Sequence, residues 1–200
     1  ATYFLSFPLM RNSLSDPVKT PAMYLDCINT GYTAWMLISS ALVFLMTPGL
    51  AFFYGGLVRS RNVLNTMMMS LVLMAVVGVT WILWGYSIAF SSEPTVTDAA
   101  KVVFASNPFF GNLNWFGLNK VAFNRADPIG YAATIPHQLF MVYQMMFAIL
   151  TPALISGAIV ERMSFKAYFW FVVAWSTIIY APLAHMVWGK GYIGSNLGAL

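Results

Sequence analysis

Four long runs of this sequence contain no Asp, Glu, Lys or Arg, and they constrain the chain more than any other feature. The first lies within Cys27–Val58 and includes TAWMLISSALVFLMTPGLAFFYGGLV. The second lies within Asn62–Ser92 and includes MMMSLVLMAVVGVTWILWGYSIAF. The third is Pro136–Val160 and the fourth is Ala167–Gly189. A helix needs about 20 apolar residues to cross a bilayer, and each run is long enough. Inside lipid every backbone N–H and C=O must find a partner within the protein, so a single apolar run can cross only as a helix. The strict alternation of a transmembrane barrel is absent. The expected fold class is therefore all-α: a polytopic helical membrane protein with spans at about 33–58, 63–91, 136–160 and 167–189.

Composition agrees. Of 200 residues, 60% are hydrophobic and 8% are charged. A soluble domain carries about 25% charged residues, which it needs to solvate its surface. An ordinary water-soluble globule and a disordered chain are both excluded. The formal net charge of +4 does not mark a nucleic-acid binder, because the basic residues are scattered rather than clustered. The single cysteine, Cys27, has no internal disulfide partner and fits no zinc spacing. Ala1–Met10 lacks a basic leader and a cleavage site, so it is not read as a signal peptide.

The charges sit between the spans. Arg59 and Arg61 lie between the first and second, and Glu161, Arg162 and Lys166 between the third and fourth. Short basic connections favour the cytoplasmic side, which places the N-terminus outside a cell membrane. The long loop from about Ser91 to Ile135 then also lies outside. It carries Asp98, Lys101, Lys120, Arg125 and Asp127, and the string NPFFGNLNWFG. It is expected to be ordered on the membrane surface, with Trp115 and Phe116 as interfacial anchors.

Few residues offer chemistry. No span holds an ionisable carboxylate, lysine or arginine near its middle, the usual mark of pumps and redox sites. His137 and His185 stand near span ends, 48 positions apart, without a carboxylate partner in sequence; no metal site is read from them. The many Ser and Thr have no nearby base, so no nucleophile and no catalytic residue is assigned. Aromatic residues are the exception. Phe140, Tyr143 and Phe147 recur at i, i+3 and i+7, on one helical face. Pro152 follows and deprives the Ala148 carbonyl of its usual partner, so a kink is expected there. His185 and Trp188 share a face in the fourth run, where Pro182 is a second kink point. Such rings attract cations through their quadrupole, about 0.5–2 kcal/mol each. Packing or an interface belt is the commoner role of an aromatic stripe, and both readings stay open on residues alone. Gly55 and Gly56 are read as sites of close helix approach. From the residues, the chain is a helical membrane protein that could carry a neutral or cationic solute.

Three strings go further. Thr33–Asn65 contains PGLAFFYGG, Tyr143–Tyr168 contains YQMMF and GAIVER, and Pro182–Leu200 contains AHMVWG. In this order and spacing they resemble the N-terminal four-span portion of the ammonium transporter (Amt/Mep/Rh) family, along nearly all of 33–200. Residues 1–31 have no counterpart and are expected to form an extracellular segment ahead of a transporter portion at 32–200. The resemblance implies ammonium or ammonia transport, with methylammonium as analogue, by a non-enzymatic homotrimer without cofactor. It implies that Trp188 and Tyr143 bind ammonium and that Phe147 gates the pore. It also implies a cytoplasmic signalling regulator. The family's pore histidines lie beyond the fourth span, and His185 is not one of them. The chain, which starts at Ala1 and stops at Leu200, is thus expected to be a fragment. The alternative implied by the family is the ammonium-sensor domain of a membrane signalling protein.

Overall fold

The computed structural model describes residues 28–91, 93–98, 101–105, 107–123 and 131–198. The N-terminal segment 1–27, with Cys27, and the loop residues Arg125 and Asp127 lie outside the described residues. Among the described residues, four helices are long and apolar enough to cross a membrane: Thr30–Leu57, Ser60–Phe90, His137–Ile159 and Phe165–Asn196. They are called here the first to fourth spans.

The first span starts at Asn29, whose side-chain oxygen accepts the amides of Gly31 and Tyr32 at 2.8 and 3.2 Å. That caps two of the four N–H groups a helix start leaves without partners. Its buried stripe is Ser40, Thr47, Ala51 and Gly55, small residues at helical spacing. Small side chains let membrane helices approach closely. A Cβ on Gly55 would stand 3.2 Å from Met67 Cγ, whereas one on Gly56 would meet nothing within 4 Å. Close approach therefore uses Gly55 and not Gly56.

The second span buries Thr66, Met69, Ser70, Leu73, Val77 and Thr80 along one side. The first span packs on the second and third, and the second also packs on the third and fourth. Thus the second span stands at the centre of the group. The third span runs through Pro152 without a break from His137 to Ile159. Two side chains bond carbonyls close by, neither of them that of Ala148: Thr151 Oγ1 donates to the Phe147 carbonyl at 2.8 Å, and Tyr168 Oη to the Pro152 carbonyl at 3.1 Å.

Two spans contain a π-helical turn, Trp81–Gly85 in the second and Ser176–Tyr180 in the fourth. In the fourth, Pro182 opens the α-helix that follows, Ala181–Trp188. A proline cannot donate to the preceding turn, and a widened turn just before it accommodates the missing bond. The two π turns meet. Trp84 Nε1 donates to Thr177 Oγ1 at 2.9 Å, and the Trp81 and Tyr180 rings lie 6.0 Å apart.

The four spans alternate in direction, so the bundle has a turn end and a loop end. At the turn end, Glu161 Oε1 accepts the Arg59 amide at 3.3 Å and Asn62 Nδ2 at 2.9 Å, tying one short connection to the other. At the loop end, an antiparallel two-stranded ribbon, β1 (Glu93–Asp98) and β2 (Lys101–Ala105), interrupts an otherwise helical chain.

Candidate functional site at the loop end

The loop after the second span is pinned to it by backbone groups. Gly111 and Asn112 donate their amides to the carbonyls of Ile88 and Ser91. Ser87 Oγ donates to the Asn112 carbonyl at 2.7 Å and accepts the Trp115 amide at 3.0 Å. These contacts drop Trp115 into the core, where it is only 6% exposed. Its ring stacks on Tyr86 at 5.5 Å and meets His137 edge-on at 4.8 Å. Trp115 is therefore a core residue and not an interfacial anchor. The expectation failed because the indole lies inward, fixed by Ser87, a residue 28 positions earlier in the chain. Phe116 does stay exposed.

The rings continue from there. Tyr86 contacts Phe90 at 5.4 Å, and Phe90 meets Phe140 and Tyr131 edge-on at 5.3 and 5.5 Å. Tyr131 and Phe140 lie parallel at 5.9 Å, and Lys190 Nζ stands 5.3 Å over the Tyr131 ring. A groove of about 340 Å³ opens beside them, lined by Tyr32, Trp35, Tyr131, Phe140 and Tyr143 among others. Its walls are aromatic and mostly apolar. A small cation entering it would meet ring faces and not carboxylates.

The residues singled out in sequence are distributed as follows. Tyr143 lines the groove, and Phe147 lies one turn further into the third span. Their rings meet edge-on at 5.1 Å. Trp188 ends the α-helical segment Ala181–Trp188 of the fourth span and is 46% exposed. Among the described residues it makes no ring contact with Tyr143 or Phe147. Its helix end is nonetheless next to the groove, because Lys190 covers Tyr131.

Both histidines are buried and engaged. His137 Nε2 lies 2.7 Å from Tyr86 Oη. His185 Nδ1 lies 2.9 Å from the Ala89 carbonyl and Nε2 3.0 Å from that of Asn107. Among the described residues, no three or more His, Cys, Asp or Glu side chains come together as a metal site would need. Sequence reasoning missed Tyr32 and Trp35. They were legible by the same i, i+3 rule that found Tyr143, since both stand on one face of the first span's first turns. Tyr131 carried no such signal, because it stands in the loop and not in a periodic run.

Four apolar spans with an aromatic mouth describe a helical membrane protein. The family model for the Ammonium Transporter Family matches residues 34–200. The ammonium transporter of Bacillus subtilis is 49% identical over 170 residues, which cover 85% of this chain and 38% of that protein. An ammonium transporter of Mycobacterium tuberculosis (strain H37Rv) is 49% identical over 186 residues, covering 85% and 37%. The crystal structure of Saccharomyces cerevisiae Mep2 is similar with a TM-score of 0.71 at 30% identity, covering 90% of this chain and 37% of that one. The chain belongs to the Ammonium Transporter Family. It spans a little over a third of the length of these relatives.

Proposed function

We propose that this chain supplies the outer recruitment site and the first gate of an ammonium transporter. The loop end faces outside and the turn end faces the cytoplasm of the cell membrane. The basic residues Arg59, Arg61, Arg162 and Lys166 at the turn end support this orientation. Trp188 and Tyr143 hold the ammonium cation by their rings, and Phe147 closes the path below Tyr143.

The physical need is plain. A bare cation loses its hydration on entering an apolar path, which is very costly without compensation. Rings return part of it, about 0.5–2 kcal/mol each, without adding a charge that would trap the ion. The observation that carries this reading is the placement of Tyr143 on an aromatic groove with Phe147 against it, in a chain whose relatives are ammonium transporters. The working unit is a homotrimer, which the broad exposed apolar side of the first span supports: Leu42, Leu45 and Phe52 are all more than half exposed. A cytoplasmic signalling regulator would meet the turn end.

The test is uptake of labelled methylammonium by a complete transporter carrying these 200 residues, in a host without ammonium transporters of its own. Trp188→Leu is expected to raise the half-saturating concentration about 2- to 30-fold, the loss of one cation–ring contact. An unchanged half-saturating concentration would remove Trp188 from the recruitment site.

A further inference from the structure

The exposed ring of Trp188 hangs between two buried anchors. One precedes it by a helical turn: the His185 side chain is fully buried and reaches the carbonyls of Ala89 and Asn107 at 2.9 and 3.0 Å. The other follows it: the Tyr192 amide donates to the Pro108 carbonyl at 2.9 Å. Between them the chain folds back on His185. Gly189 and Gly191 both donate their amides to the His185 carbonyl, at 2.9 and 3.1 Å, and Lys190 between them has φ 60°. The fit is tight, since a Cβ on Gly189 would stand 2.3 Å from the Ala89 carbonyl oxygen.

The two carbonyls that meet His185 are of a kind that needs a partner. Ala89 lies in the last turn of the second span, where carbonyls have no intrahelical donor. Asn107 lies in the loop and has no ladder to join. Whichever ring nitrogen carries a proton donates to the carbonyl it faces. A neutral imidazole carries one N–H, so one carbonyl accepts it while the other lies against the second ring nitrogen, and both nitrogens face backbone. Its side chain points away from solvent while Trp188, three residues on, is half-exposed on the same helix.

We propose that His185 is the positioning residue for Trp188. It clamps the end of the fourth span to the end of the second span and to the outer loop, so that the indole is presented to ammonium in one place. It does not touch the cation. This rests on the recruitment role of Trp188 proposed above. Pre-setting a binding group raises affinity by removing the cost of ordering it on binding. Loss of the clamp therefore acts on half-saturation and leaves the maximal rate alone.

The experiment is a double-mutant cycle on methylammonium uptake, in a complete transporter carrying these residues, with membrane abundance measured for each variant. His185→Phe keeps a ring and removes both contacts. It is expected to raise the half-saturating concentration about threefold or more with an unchanged maximal rate per molecule. His185→Gln retains a donor and is expected to recover most of the loss. In a Trp188→Leu background, His185→Phe is expected to add no further shift. If His185→Phe does not accumulate, Gly189→Ala, which presses on the same Ala89 carbonyl, takes its place in the cycle. Should the histidine variant lower abundance or maximal rate equally in both backgrounds without moving half-saturation, the clamp is structural only and the proposal falls. If Trp188→Leu shifts half-saturation and His185→Phe does not, the positioning role alone is overturned. If Trp188→Leu shifts nothing, the recruitment reading itself fails, and this role fails with it.

Discussion

At the scale of single residues, a demanding contact lies between the first and third spans. Gly157 faces the Tyr54 ring so closely that a Cβ there would stand 2.4 Å from Tyr54 Cζ. Tyr54 uses the space to donate its hydroxyl to the Leu154 carbonyl at 3.1 Å, three residues before that glycine. A methyl group must therefore displace an aromatic ring held at its far end. Gly157→Ala is expected to destabilise the bundle by about 1–3 kcal/mol, the usual range for overpacking. Thermal unfolding in detergent, compared with Gly56→Ala, checks it: Gly56 has open space around it, and the two substitutions should differ clearly. Equal midpoints would show that Tyr54 swings aside at little cost.

At the scale of elements, the second and fourth spans are joined where each leaves regular α-helical geometry. A π turn admits one extra residue and shifts the faces of the helix on either side of it. The Trp84 to Thr177 hydrogen bond crosses between the two turns, so it registers one irregular turn against the other. Thr177→Val keeps the shape and removes the acceptor. The half-buried indole N–H is then left without its partner, at a cost of about 1–3 kcal/mol. Thr177→Ser, which restores the hydroxyl, is expected to return most of the stability. The check is the unfolding midpoint of the three proteins in one detergent. A valine variant as stable as the parent would mean that the indole finds another acceptor.

At the scale of the whole molecule, the turn end is held by one carboxylate. Glu161 adopts φ 63°, a left-handed conformation that non-glycine residues seldom take, and its side chain reaches Asn62 and the Arg59 amide. The Asn62 hydrogen bond, followed by that from the Arg59 backbone, holds its carboxyl below the ordinary value of 4.5. A carboxylate depressed in this way contributes stability above its unfolded-state value, and the contribution is lost as pH falls through the folded one. Acidification from about pH 5 to 3 should therefore loosen the tie between the two short connections. Glu161→Gln is expected to flatten the fall of the unfolding midpoint over that interval. Parallel pH profiles for the two proteins would show that the tie contributes nothing measurable, as exposed pairs sometimes do.

Much of the architecture was legible in the linear order of residues. Bilayer thickness and backbone satisfaction are one-dimensional constraints, so four uncharged runs suffice to specify four spans. Helical spacing is also local, and it put Tyr143 and Phe147 on one face, where their rings do meet. The strings of residues 33–200 pointed to the family for the same reason, because they are read along the chain. What the linear order could not decide was which distant backbone groups each side chain would find. Trp115 and Phe116 are neighbours in an aromatic loop, yet one is core and the other surface, because the Ser87 hydroxyl holds the Trp115 amide. His185 reaches carbonyls 96 and 78 positions away, and Glu161 reaches an amide 102 positions away. Backbone carbonyls and amides carry no residue-specific signature, so a side chain that pairs with them leaves no partner to recognise in the sequence. Hydropathy thus determined the spans, and the motif strings pointed to the family. Only the folded chain, by bringing bare backbone groups to His185, decided how the mouth of the site is held.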